Sequence, residues 1–157
     1  MKTRLTAREI VMSNPIFGNV WSMAPDPHGW VDGSPEWRNL ISKLQPKKVA
    51  EVGVWMCMTT RFLLSHPCIE EVTCVDHWDA LKVDPNSIDM TKQPVNRVYR
   101  MYEQFLANCL HYGLADKVYP VRMMSVDAAK YCQTLGLMFD MIWIDADHSY
   151  ECVKEDI

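Results

Sequence analysis

Glycine is scarce in this chain, with six residues in 157, and the one glycine that follows an apolar run, Gly53, stands without companions. Trp55 occupies the second position of what would be a G-x-G-x-x-G turn, so a pyrophosphate would meet a bulky side chain, and no lysine of a phosphate loop follows; both absences disfavour nicotinamide dinucleotides and ATP. An excess of basic residues is also missing. Lys and Arg number 16 against 20 acids, a net charge of −4, which argues against a nucleic-acid binder or a protein of anionic membrane surfaces. No apolar run approaches the roughly 20 residues of a membrane span, and Met1-Lys2-Thr3-Arg4 is not followed by the apolar core of a secretory leader. The six cysteines (Cys57, Cys68, Cys74, Cys109, Cys132, Cys152) contain no C-x-x-C pair and fit no zinc spacing. They read as reduced thiols of a cytoplasmic protein. The eleven methionines read as core filler, with a soft binding surface as the alternative.

What is present is an alternation of helical and strand patterns. Residues 1–33 form an N-terminal segment, a short helix followed by an irregular stretch with Pro25, Pro27, Gly29, Trp21 and Trp30; it either closes over a pocket as a lid or packs on the sheet. Residues 34–157 read as one domain. Ser34-Pro35-Glu36 opens a helix through Trp37, Leu40, Ile41 and Leu44, stopped by Pro46. Strands are predicted at 47–52, 71–75, 117–122 and 139–144. Helices between them start at Thr59 or Thr60, in the stretch 94–111 ended by Gly113, and at Ser125. Alternation of this kind specifies an α/β fold with a parallel sheet and flanking helices. Chemistry should then lie at the carboxyl ends of the strands.

Three such ends carry suitable residues. After the first strand come Glu51, Gly53, Val54, Trp55 and Thr59: a glycine lets backbone approach a ligand, and the amides before Thr59 can receive a carboxylate or phosphate. Glu51 can accept hydrogen bonds from an ammonium, hold the loop, or be a solvated edge acid. Asp76 ends the second strand, where an acid can take both hydroxyls of a ribose or cap the turn at His77-Trp78. Trp78 can wall an adenine or sit in the core. After the fourth strand, Asp145, Asp147 and His148 suit divalent-metal binding or proton transfer.

The segments Glu51-Val-Gly53-Val-Trp55-Met-Cys57-Met-Thr59-Thr60-Arg61 and Phe139-Asp-Met-Ile-Trp-Ile-Asp145-Ala-Asp147-His148-Ser149-Tyr150 together resemble class I S-adenosylmethionine-dependent methyltransferases, most closely the O-methyltransferases of the catechol and macrocin type. The resemblance covers roughly residues 34–157 and implies a Rossmann-like sheet of order 3-2-1-4, without the further C-terminal strands of that fold. It implies a methyl transfer to a small-molecule hydroxyl, with a sugar as one candidate, and S-adenosylmethionine and Mg²⁺ as cofactors. Glu51 and Gly53 would shape the pocket floor, and Val54, Trp55 and Thr59 would meet the amino-acid end of the cofactor. Asp76 and His77 would serve the ribose side, and Trp78 and Ser125 would border the adenine. Asp145 would ligate the metal and contact the cofactor, and His148 would be the base. Cys57 stands where the family usually has glycine, which narrows the approach to the cofactor. A sheet ending at strand four has an open apolar edge. A non-catalytic binding remnant, a homo-oligomer, or a subunit completed by another chain is therefore the alternative.

Overall fold

The computed structural model describes residues 4–26, 28, 29, 31, 33–79 and 100–157. Its centre is a four-stranded sheet of β1 (Lys48–Val52), β2 (Glu71–Asp76), β3 (Val118–Arg122) and β4 (Met141–Ile144), all pairings parallel and in the order β3-β2-β1-β4. This is the α/β sheet and the strand order expected from the sequence. The six helices among the described residues are α1 (Ala7–Ser13), α2 (Pro35–Leu44), α3 (Met58–Leu64), α4 (Met101–His111), α5 (Ser125–Thr134) and α6 (Tyr150–Asp156), with a 3₁₀ helix at Pro15–Ser22. None is long and apolar enough to cross a membrane.

Side chains alternate across a strand, so each strand feeds two faces. Val49, Val72, Cys74 and Val118 join Ile41, Leu63, Phe105 and Leu106 in the large core. The opposite face carries a much smaller cluster, Val75 and Val121 against Ala128 of α5, with Val52 and Tyr131 beside it. β4 shows the asymmetry most clearly. Met141 and Trp143 pack on the large core, whereas Ile142 is 58% exposed on the other side. Parallel strands are normally covered on both faces; the second face of β4 is bare.

The N-terminal segment is more regular than the sequence suggested. Thr6 and Glu9 form a reciprocal capping box at the start of α1, and Ala7, Val11 and Val20 are buried in the main core. Trp21, by contrast, is 55% exposed; Trp30 lies outside the described residues. Two helix starts also differ from expectation. Cys57, not Thr59 or Thr60, precedes α3, and the Thr60 hydroxyl is turned inward to Glu51. Ser125 is the first residue of α5 rather than its cap, which falls at Met124. Residues 94–99 of the expected helix ending at His111 lie outside the described residues. All six cysteines are free thiols, as read from their spacing.

The two faces make a direct prediction. Ile41 is fully buried and Ile142 largely exposed, so Ile41→Ala should cost about 2–5 kcal/mol. Ile142→Ala should cost less than about 1 kcal/mol. Urea denaturation of the two variants measures the difference.

Candidate functional site

At the carboxyl end of β1 the chain turns at Gly53, whose φ of 83° lies in the left-handed region. Its backbone N–H donates to the Val75 carbonyl, and Asp145 N–H donates to the Val52 carbonyl. A Cβ at Gly53 would collide with the backbone of Asp145 and Ala146. Glycine is thus required twice over: by conformation, and by the close passage of the segment that leaves β4. The strand ends and the Asp145 loop converge because no side chain separates them.

The turn that follows is unusual in using bulky residues. Trp55 (φ 53°) and Cys57 (φ 81°) both adopt the left-handed conformation. Asp76, at the end of β2, braces the start of this turn: one carboxylate oxygen accepts from Val54 N (2.9 Å) and Trp55 N (3.0 Å), and the other from Trp78 N (2.7 Å). Three of its roughly four acceptor positions are therefore used within the protein. One acceptor position remains open.

These elements border a cavity of about 720 Å³. Gly53, Val54, Trp55, Thr59, Asp76, His77, Ser125, Asp145, Asp147 and His148 all line it, so ten of the residues singled out in the sequence meet at one place. Trp78 and Glu51 do not. Trp78 is buried against Tyr102 (ring centroids 4.9 Å apart) and Phe105 (4.7 Å), with its indole N–H bound to the Trp55 carbonyl. It supports the turn from beneath, and the adenine border expected of it is not on the cavity side. A smaller hollow of about 430 Å³ lies by the amino ends of the strands, between Lys47, Lys48 and Met138.

Glu51 points to the covered face of the sheet, as its alternation with Val49 requires, and is fully buried. One carboxyl oxygen accepts from the Thr60 hydroxyl at 2.7 Å; the other has no hydrogen-bond partner among the described residues. Burial pushes its pKa up to about 8, with Asp76 and Asp145 adding to the rise and the Thr60 bond opposing it. It sits behind the pocket floor, not on it.

Several lining residues were missed in the sequence. Met58, Met101, Met123 and Met124 line the cavity, Met101 from within the core, and Met56 is core throughout. Gly29 contributes from the N-terminal segment, and Cys152, Glu155 and Asp156 from α6. His148 is exposed, with Nε2 3.1 Å from an Asp145 carboxylate oxygen. Asp147 is engaged by the backbone N–H of Ser149 at 2.7 Å, which holds its carboxyl below the usual range; Ser149 in turn caps α6.

The donor set has a definite polarity. Asp76, Asp145, Asp147, Glu155 and Asp156 line the cavity with no Lys or Arg among the described lining residues. Such a wall favours a cationic guest and repels a pyrophosphate, which fits a sulfonium-bearing donor. The Mg²⁺ site implied by the resemblance does not fit equally well: among the described residues no three His, Cys, Asp or Glu side chains gather to hold a metal.

Comparison with known proteins agrees with this geometry. A family model described as a methyltransferase domain matches residues 50–157, and the chain belongs to that family. Its structure is similar to the O-methyltransferase from Bacillus cereus in complex with SAH, with 17% identity and a TM-score of 0.52, covering 90% of this chain and 54% of that one. It is also similar to the cofactor-bound Rv0187 from MTB, at 21% identity and a TM-score of 0.50, covering 90% of this chain and 57% of that one. The chain thus spans little more than half the length of these structures. No curated protein matches it significantly in sequence.

Two outcomes follow from the site. Gly53→Ala should destabilise the protein by at least about 2 kcal/mol, since it adds left-handed strain to a backbone collision, measurable by chemical denaturation. Glu51 keeps its proton in the folded state to about pH 8, whereas in the unfolded chain it ionises near 4.5. Between those values the folded protein holds a proton that the unfolded chain has lost. Stability should therefore fall as pH rises through this window, by at most about 1.4 kcal/mol per pH unit. Glu51→Gln should remove that slope in a pH series of melts.

Proposed function

We propose that this chain is the donor-binding part of an S-adenosylmethionine-dependent O-methyltransferase that acts on a small-molecule hydroxyl, with a sugar as one candidate acceptor. The observation that carries the reading is the convergence of the Gly53 turn, Asp76 and the Asp145–His148 pair on one acid-lined cavity. S-adenosylmethionine, when bound, would supply a methyl group on a positively charged sulfur, open to in-line attack. Asp76 offers its remaining acceptor position to a ribose hydroxyl, and Val54, Trp55, Thr59, His77 and Ser125 shape the surrounding wall. Asp145 accepts from His148 Nε2 and so leaves Nδ1 as the basic nitrogen. His148 can then take the proton of the acceptor hydroxyl as its oxygen forms the new bond to carbon and the carbon–sulfur bond breaks. Most of the acceleration would come from holding the two reactants in line. The donor set supports no step through Mg²⁺.

A second reading is supported by the bare face of β4 and by the share of the solved structures that the chain spans. In it, the chain binds the donor but needs further polypeptide, from another copy or another chain, to complete a working site.

Calorimetry with S-adenosylhomocysteine tests both, and a folded sample that gives no heat removes them together. Methyl transfer to a panel of hydroxyl compounds, with and without Mg²⁺, then separates them. In an active preparation, His148→Ala should lower turnover about 10²–10⁴-fold and leave S-adenosylhomocysteine affinity within about twofold. An unchanged rate would remove His148 as the base.

A further inference from the structure

We propose that Asn108 is a positioning residue for the donor side of the cavity: it fastens the N-terminal residues 24–26, with His28 and Gly29 following them, to the turn 54–57 and so fixes the lining residues Gly29 and Trp55 in place. This rests on the donor-binding reading above.

Asn108 lies in the middle of α4 and is fully buried. Its side-chain amide has two donors and two acceptor positions, and all four are filled. Nδ2 donates to the Asp26 carbonyl (2.9 Å) and to the Met56 carbonyl (2.8 Å). Oδ1 accepts from Asp26 N (2.9 Å) and from Gln104 Nε2 (3.1 Å). The amide therefore grips both polar groups of Asp26 as a neighbouring strand would, and with its remaining hydrogen it reaches the middle of the cavity turn. Gln104, one helical turn earlier, also donates to the Ala24 carbonyl (2.9 Å).

The far end of the segment closes the circuit. Trp55 Nε1 donates to His28 Nδ1 at 3.0 Å. Gly29, a lining residue, passes so near α3 that a Cβ there would come within 3.0 Å of Met58 Cβ. Met56 lies between the two left-handed residues Trp55 and Cys57, so the carbonyl that Asn108 holds belongs to the most strained part of the site. A buried amide with every bond made is costly to disturb, and here the bonds run to Asp26 and Met56, which lie behind the cavity surface next to the lining residues Gly29 and Trp55. The N-terminal segment is then a part of the donor pocket clamped from within the core. A lid that swings freely would lack this attachment.

The test is amide hydrogen exchange together with calorimetry on the full chain. Asn108→Ala should speed exchange at Asp26, His28 and the 54–57 turn, leave β1 and β2 protected as before, and weaken S-adenosylhomocysteine binding by about tenfold or more, the loss of roughly one such bond. Unchanged local exchange, or exchange raised evenly over the whole chain, would overturn the proposal. So would local loosening with unaltered affinity, which would show a wall that positions nothing. If Asn108→Ala fails to fold, Gln104→Met decides: faster exchange at Asp26 and His28 supports the clamp, and unchanged exchange there overturns it. Should the unaltered protein bind no S-adenosylhomocysteine, the donor reading fails, while the exchange pattern still reports on the clamp.

Discussion

The carboxylate of Asp76 is the contact on which the site depends. It joins the end of β2 to the first two amides after Gly53, and so fixes the distance between the strand that turns and the strand beside it. The force balance explains why a charged group is needed. Holding Trp55, Cys57 and Trp78 in the left-handed region costs about 1–3 kcal/mol each. Hydrogen bonds to a charged acceptor return about 1.5–3 kcal/mol each. The two sides nearly cancel, so Asp76 alone does not secure the turn. The Trp78 indole on the Trp55 carbonyl and the Asn108 amide on the Met56 carbonyl tip it. A glycine-rich turn would avoid the cost and need fewer props. This chain uses side chains from β2, the segment after it, and α4 to do what glycines do elsewhere.

That arrangement also gives Trp55 a use. A bulky residue where a second glycine would stand argued from the sequence against a dinucleotide, and the structure shows where the bulk goes: its indole reaches His28 and forms part of the cavity wall. Cys57 is directed away from the ligand space, buried with its sulfur 3.9 Å from that of Cys109. The narrowing of the approach that a side chain at this position implied does not come from its thiol, which lies in the core.

Much of this was legible in the sequence because it follows from short-range rules. The alternation of elements gave the parallel sheet, and a glycine or acid just past an apolar run marked each strand end that forms the cavity. The errors have physical causes. Glu51 was assigned to the pocket by its distance from Gly53, yet the two-residue period places it on the same face as Val49, and hence in the core. Trp78 had no periodic neighbours to show which way it turned, and its partners Tyr102 and Phe105 lie more than twenty residues away. The methionine wall was hidden because Met58, Met101, Met123 and Met124 come from separate elements and carry no pattern. The clamp did leave a signal: Gln104 and Asn108 stand four residues apart on the same helical stripe as Phe105 and Cys109, and polar residues on a buried face must find partners. What no local rule could supply was the identity of those partners, the backbone of residues 24–26.

β4 is also the last strand of the sheet, and its free edge raises the question of what keeps it from pairing with another copy. Its four residues are Met-Ile-Trp-Ile, uncharged and rich in β-formers, which is the profile of an edge that aggregates. The flanks oppose this. In the fullest antiparallel overlap of two β4 strands, Ile142 faces Trp143 and Met141 faces Ile144 of the copy. Asp140 then falls opposite Asp145, at both ends. Asp140 is strongly committed to its charged form, because its carboxylate accepts from the backbone N–H groups of Lys47 and Lys48, which holds its pKa below the usual range. Like charges placed directly across a ladder destabilise it, and here they would meet twice. The charge pattern at this edge thus opposes the twofold antiparallel pairing of two copies in that register.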